Sequence, residues 1–240
     1  RGAMKTIIHT LNPAQYYNPD LEKPTLLILG AALIPTVHRY FGSMEFYQGI
    51  FPQQATGTAA IFMFCCAFLL MGALPALIVK YRFKESLKDY GLRAGRWKEG
   101  LLLTVALFIP ISLLLLLPSS QTTEMVAFYP FDKSIATSAG KFMQYQLLRG
   151  IFFYTAWEFF FRGFLLFGLR PVVGDWLAIC IQTIPSCLWH IGMPSGEIFG
   201  SIVGGILFGL LALRTRSLYW PFLLHFLIGI GMDFFIVITH

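Results

Sequence analysis

The sequence predicts an all-α protein, a polytopic bundle of about seven transmembrane helices with a range of six to eight. Of its 240 residues 56% are hydrophobic and only 12% are charged, whereas soluble domains carry about 25% charged residues. The mean hydropathy is +0.66. Long apolar runs recur along the chain without the period-two alternation of barrel strands, so helices are the elements that satisfy the backbone in lipid.

Seven apolar runs of roughly membrane-spanning length can be marked. They are Thr25–Phe41, Ala59–Val79, Leu101–Pro118, Gln146–Leu169, Trp176–Met193, Ile198–Leu213 and Leu218–Thr239. The first run is the weakest, because it is short, contains Pro35 and ends in His38 and Arg39. One bundle is therefore expected over residues 25–240, preceded by an N-terminal tail of residues 1–24.

The first residues are interpreted separately from the fold. Residues 1–3 precede Met4 and look like an expression remnant. The polar, mixed stretch that follows shows no cleavable signal peptide.

Positive charge is concentrated in one loop. The segment Lys80–Glu99 carries seven basic and three acidic residues, and apolar runs flank it. The positive-inside rule explains this pattern better than nucleic-acid binding does. If the loop 80–100 is cytoplasmic, alternation places Arg170, Arg214 and Arg216 on the same side. The sequence thus predicts a multi-pass protein of the cell membrane with a cytoplasmic N-terminus, a lipid bilayer around it and no nucleic-acid partner.

Small residues in the sixth run predict close helix packing. Gly200, Gly204, Gly205 and Gly209 include two four-residue spacings. Such spacings let helix backbones approach closely in membranes. We expect this helix to lie tightly against a neighbour.

Ionisable side chains inside the runs indicate function, because a charge within a span costs at least about 2.5–3.5 kcal/mol on insertion scales. Glu158 and Arg162 are four residues apart, which places them on one helix face. They are either a neutralising structural pair or a carboxylate poised by its guanidinium neighbour. His190 and His225 lie in two later runs, and a site shared with Glu158 is favoured over two isolated core histidines.

The helix rise predicts the depth of each group. Glu158, His190 and Asp233 come to roughly 20–24 Å from the cytoplasmic ends of their runs, and His225 to about 11 Å. The first three groups are thus expected at one level, with His225 nearer the cytoplasm. The secondary site candidates are Asp233, Trp157 and Trp189.

These residues resemble the motifs of the CPBP family of intramembrane proteases, also called the Abi or CAAX-protease family, which includes Rce1-like prenyl-protein endopeptidases. The family motifs are EExxxR on one helix, FxxxH on the next and HxxxN on a later one. The sequence matches them in order at Glu158 with Arg162, at His190 and at His225. The resemblance implies a catalytic core at about residues 145–235.

The resemblance also implies an activity. The chain would be an intramembrane endopeptidase that hydrolyses a membrane-associated or lipidated peptide or protein with a glutamate-activated water. Glu158 would be the general base and Arg162 would orient it; His190 would hold the water, and His225 would stabilise the oxyanion. No cofactor is expected. The metal-dependent alternative is a zinc ion bound by Glu158, His190 and His225.

Three positions depart from the family motifs. Trp157 stands in place of the first Glu, Ser186 in place of the Phe and Gly229 in place of the Asn. These departures keep open a catalytically inactive relative that acts as a membrane scaffold or binds a partner protein. A transporter or receptor is less favoured, because no inverted repeat is evident.

Overall fold

The structure, a computed structural model, describes residues 10–240, which contain helices and no β-strand. The interpretation of residues 1–3 lies outside the described residues. The main helices are α1 (Glu22–Phe41), α2 (Met44–Ile50), α3 (Thr56–Phe83), α4 (Trp97–Ser119), α5 (Thr123–Phe128), α6 (Ala139–Val173), α7 (Asp175–Trp189), α8 (Ser195–Thr215) and α9 (Tyr219–Thr239). The predicted all-α class is confirmed.

Six helical segments of the described chain are long and apolar enough to cross a membrane. They contain α1 with α2, then α3, α4, α6, α8 and α9. The predicted polytopic bundle is therefore confirmed. The fifth of the seven runs is the exception, because its helix is not among these six segments.

The fifth run forms a shorter helix than predicted. Helix α7 has 15 residues and ends at Trp189, so it is about 22 Å long. The hydrocarbon core is about 30 Å thick. The expected span Trp176–Met193 is thus wrong at its C-terminal end, because a turn begins at His190 and Gly192 has a positive φ of 92°.

Helix α6 is the centre of the bundle. In the most apolar 18-residue stretch of α6, 83% is buried inside the protein, against 22–33% in the corresponding stretches of the other five spans. Its backbone is π-helical over Arg149–Tyr154 and Phe159–Phe167, on either side of one α-helical turn at Thr155–Glu158. Stretches of this wider winding also occur in α3 and α4, so the winding alone does not mark a site.

The basic loop packs against the α8–α9 connection at one end of the bundle. The backbone N–H of Arg96 donates to the carbonyl of Thr215 at 2.8 Å, and the backbone N–H of Leu218 donates to the carbonyl of Gly91 at 2.9 Å. These contacts agree with the same-side placement expected from the charge pattern. The cytoplasmic location of this end stays a prediction.

Helices α7 and α8 approach each other at two of the four predicted glycines. A Cβ on Gly205 would lie 2.7 Å from the Thr183 side chain, and one on Gly209 would lie 3.1 Å from α7. Around Gly200 and Gly204, no described atom lies within 4 Å of such a Cβ. The predicted close packing is thus made by Gly205 and Gly209, while the other two glycines face away from the interface.

A buried ion pair joins α6 to α9. Arg149 Nη1 lies 2.9 Å from Asp233 Oδ2, and their side chains are 5% and 0% exposed. Gln146 Nε2 donates to the same carboxylate oxygen at 2.6 Å. The pair neutralises two charges that would otherwise be isolated in an apolar interior, where an unpaired charge is costly.

We expect Gly205→Ala to lower the free energy of unfolding by about 1–3 kcal/mol, because the added methyl group overpacks the α7–α8 contact. The matched control is Gly200→Ala, which adds the same group in open space. Reversible unfolding in detergent micelles measures both. Equal unfolding free energies for the two variants would contradict the packing described here.

We expect Asp233→Ala to lower the free energy of unfolding by about 3–5 kcal/mol, because it leaves the Arg149 guanidinium buried without its counter-charge. The control is Asp175→Ala, which breaks the exposed Arg170–Asp175 pair and should cost at most about 1 kcal/mol. The same unfolding measurement compares them, and a loss no larger than that of the control would be inconsistent with the buried pair.

Candidate active site

Glu158 lies on α6 among aromatic side chains. It is 1% exposed, and its neighbours Trp157, Phe159 and Phe160 are also buried. An ionised carboxylate in such surroundings needs partners that replace the hydration it has lost.

Two side chains from different parts of the sequence bind the same oxygen of Glu158. His225 Nδ1 on α9 donates to Oε1 at 2.6 Å. Arg162 Nη1, one turn along α6, lies 3.4 Å from it, so the pairing expected from the four-residue spacing is present. The second oxygen, Oε2, is buried and has no hydrogen-bond partner among residues 10–240.

The contact between His225 and Glu158 corrects the depth prediction. Asp233, expected at the level of Glu158, instead binds Arg149, which precedes Glu158 by nine residues, or about 14 Å along an α-helix. The prediction counted residues from the helix ends. With 35 residues, α6 is much longer than the bilayer core requires, so a count from its end misplaces Glu158.

His190 lies where α7 ends. Its Nδ1 is 2.7 Å from the carbonyl oxygen of Ser186. Because a carbonyl only accepts, Nδ1 carries the proton, and in the neutral ring Nε2 is an acceptor. Ser186, which replaces the expected Phe, thus contributes its backbone to the orientation of His190.

Two of the secondary candidates surround the histidines. The Trp157 ring lies 5.4 Å from the ring of His190 and 6.4 Å from that of His225. Trp189 packs against Trp157 at 4.9 Å and donates its indole N–H to His38 Nδ1 at 3.2 Å. Trp157 therefore separates the two histidines where the family motif has a carboxylate.

A small cavity connects these groups. Its volume is about 30 Å³, which suffices for about one water molecule. The lining includes His190, His225, Trp157, Trp189, Tyr154, Tyr129, Arg149 and Glu197. The cavity thus has both histidines in its wall, with Glu158 directly behind His225.

The zinc alternative would need Glu158, His190 and His225 to converge on one point. Among residues 10–240, no group of three or more His, Cys, Asp or Glu side chains is placed to hold a metal ion. In particular, Glu158 and His225 are hydrogen-bonded to each other at 2.6 Å. The absence of a cofactor stays a prediction.

Residues outside the predicted set complete the site. Arg149 lies inside the fourth apolar run, and its charge there was a signal for function that the sequence analysis did not use. Tyr154 packs against His225 with tilted rings and 4.5 Å between ring centroids. His38, at the end of the weakest run, is fully buried beside Trp189.

A larger groove opens on the other side of Trp189. It has a volume of about 990 Å³ and lies between α1, α2 and α7. Its lining is mainly apolar and includes Ile28, Ala32, Ile184 and Leu188, with the charged Arg39 at one end. Trp189 lines both this groove and the small cavity, so it is the wall between them.

Comparisons with known proteins agree with this site. Residues 141–230 match the family model described as type II CAAX prenyl endopeptidase Rce1-like. The match spans Glu158, Arg162, His190 and His225. Neither the curated proteins nor the solved structures gave a match. Residues 141–230 thus match an Rce1-like domain, in agreement with the resemblance of the motifs to the CPBP family.

Proposed function

We propose that the protein is an intramembrane endopeptidase that cleaves a membrane-associated or lipidated peptide with a water activated by Glu158. One observation carries the proposal: a buried carboxylate has one oxygen bound by His225 and Arg162 and the other unpartnered among residues 10–240, and the same His225 lines a small cavity together with His190. The Rce1-like match supports a CAAX-protease type of reaction.

In this mechanism a water molecule binds between Glu158 and His190. It donates one hydrogen bond to Oε2 of Glu158 and the other to Nε2 of His190, the ring nitrogen left as an acceptor. Glu158 removes a proton as the water oxygen attacks the peptide carbonyl carbon. A tetrahedral intermediate forms, and its oxygen carries the negative charge.

Collapse of the intermediate breaks the C–N bond. The proton held by Glu158 passes to the leaving nitrogen, which departs as an amine, and a carboxylic acid remains on the other product. Because Trp157 replaces the first motif acid, one carboxylate both accepts and returns the proton. Arg162 and His225 hold that carboxylate in place throughout, and protonated His225 donates from Nε2 to the oxyanion.

The groove between α1, α2 and α7 supports a lipidated substrate. A hydrocarbon chain binds to an apolar surface, and the groove lining is mainly apolar, with its charged residues limited to Arg39 and Glu45. Since Trp189 is shared between groove and cavity, a chain lying in the groove places the attached peptide near the histidines. The groove is therefore proposed as the binding site for the lipid part of the substrate.

We expect Glu158→Gln to lower kcat by about 10²- to 10⁴-fold, because the amide cannot take the proton from water. The assay uses the protein in nanodiscs and an internally quenched peptide ending in a farnesylated cysteine and three further residues. A second probe is a transmembrane peptide without lipid. The control Glu124→Gln changes an exposed acid.

The cleavage results for the two probes and the two variants distinguish the candidate functions. Cleavage of either probe by the wild type and by Glu124→Gln, but not by Glu158→Gln, supports the protease. If wild type and Glu158→Gln behave alike on both probes, the proposal fails. Retained binding of the probes in that case would favour the inactive, partner-binding relative.

We expect Ala32→Trp to raise KM for the farnesylated peptide at least severalfold while kcat changes little, because the indole fills the groove and opposes uniform binding of the lipid. The matched control is Leu33→Trp on the same helix, since Leu33 is exposed and is not part of the groove lining. Steady-state kinetics in nanodiscs give both constants. An unchanged KM for Ala32→Trp would place the lipid elsewhere.

A further inference from the structure

We propose that the hydroxyl group of Tyr154 donates a hydrogen bond to the oxyanion, in the space left free by Gly229. This inference deepens the proposed protease function and rests on it. It assigns a catalytic residue to a position that lies outside the three family motifs.

The location of Tyr154 fits this role. Tyr154 precedes Glu158 by one turn of α6, is 3% exposed and lines the small cavity together with both histidines. Its ring lies 4.5 Å from that of His225. The phenol is therefore beside the cavity in which the peptide carbonyl would react.

Tyr154 and Gly229 are complementary in shape. A Cβ on Gly229 would lie 2.8 Å from Cζ of Tyr154 and would overlap its hydroxyl oxygen. A side chain at position 229 is thus incompatible with Tyr154 in its present position. The family motif has an Asn at 229, so a tyrosine hydroxyl from α6 occupies the volume in which that side chain would begin.

Several hydrogen-bond donors around the cavity already have acceptors. The hydroxyl of Tyr129 donates to Glu197 at 2.6 Å. His190 and His225 each use Nδ1, toward Ser186 and Glu158 respectively. Of the two rings, only the protonated His225 of the proposed mechanism has a second N–H for the oxyanion, so a second donor is needed from elsewhere. The hydroxyl oxygen of Tyr154 accepts from Arg149, which leaves its O–H available as a donor.

The surroundings of Tyr154 also suit a developing negative charge. The guanidinium carbon of Arg149 lies 5.0 Å from the Tyr154 ring centroid. Positive charge beside the phenol makes its O–H a better donor, and a fixed donor aimed at an oxyanion stabilises the transition state in a water-poor site. The phenol keeps its proton throughout, so the proton balance of the reaction is unchanged.

The test compares Tyr154→Phe with Tyr145→Phe on the farnesylated and transmembrane probes in nanodiscs. Tyr145 also lies on α6, is buried, and its hydroxyl has no partner among the described residues, but it does not line the cavity. We expect Tyr154→Phe to lower kcat by about 10²- to 10³-fold with KM unchanged, as for loss of one oxyanion donor. Its affinity for a phosphinic analogue of the cleaved probe should fall by a similar factor. Tyr145→Phe should keep wild-type values.

A second pair of variants tests whether the donor or merely the ring matters. Tyr154→Ala removes the phenol and opens the space, and Tyr154→Ala with Gly229→Asn supplies an amide donor in the same volume. We expect the double variant to regain at least tenfold in kcat over the single one.

The outcomes separate this inference from the proposed function. If the wild type exceeds Glu158→Gln but Tyr154→Phe stays within threefold of the wild type, the tyrosine assignment is overturned and the protease remains. An equal loss in Tyr145→Phe also overturns it. If the wild type does not exceed Glu158→Gln, the protease itself fails.

Discussion

The hydrogen bond from His225 to Glu158 joins the last helix to the central one in the buried interior of the bundle. Aromatic side chains surround the carboxylate, so its charge depends on this contact and on Arg162. Both partners bind one oxygen, which leaves the other, Oε2, available for chemistry. The positions of α6 and α9, and with them the shape of the cavity, follow from the need to satisfy this one buried acid.

Much of the fold could be predicted from the sequence. Apolar runs identify spans because lipid permits only segments with internally bonded backbones, and six of the seven runs are spans. The Glu158–Arg162 pair follows from helix geometry alone. The motif order indicated that Glu158 and two histidines share a region, and the structure places His225 on the carboxylate and His190 across Trp157.

The remainder depended on contacts between distant segments. Sequence spacing cannot state that Asp233 pairs with Arg149 rather than facing Glu158, because helix tilt and unequal helix lengths shift one helix against another. The early end of α7 could not be predicted from hydropathy either, because apolar residues continue past Trp189 although the helix ends there. The match of Tyr154 to Gly229 is a matter of volume, visible only when two helices have been packed.

The wide winding of α6 has a consequence for its two polar contacts with α9. Arg149 and Glu158 are nine residues apart, about 2.5 turns of a regular α-helix, which would point them in opposite directions. Both nevertheless reach α9, through Asp233 and His225. The π-helical stretch Arg149–Tyr154 supplies the rotational offset between them. Loss or gain of a single residue in that stretch would turn one of the two anchors toward the lipid, so the segment tolerates exchange of side chains more readily than a change in length.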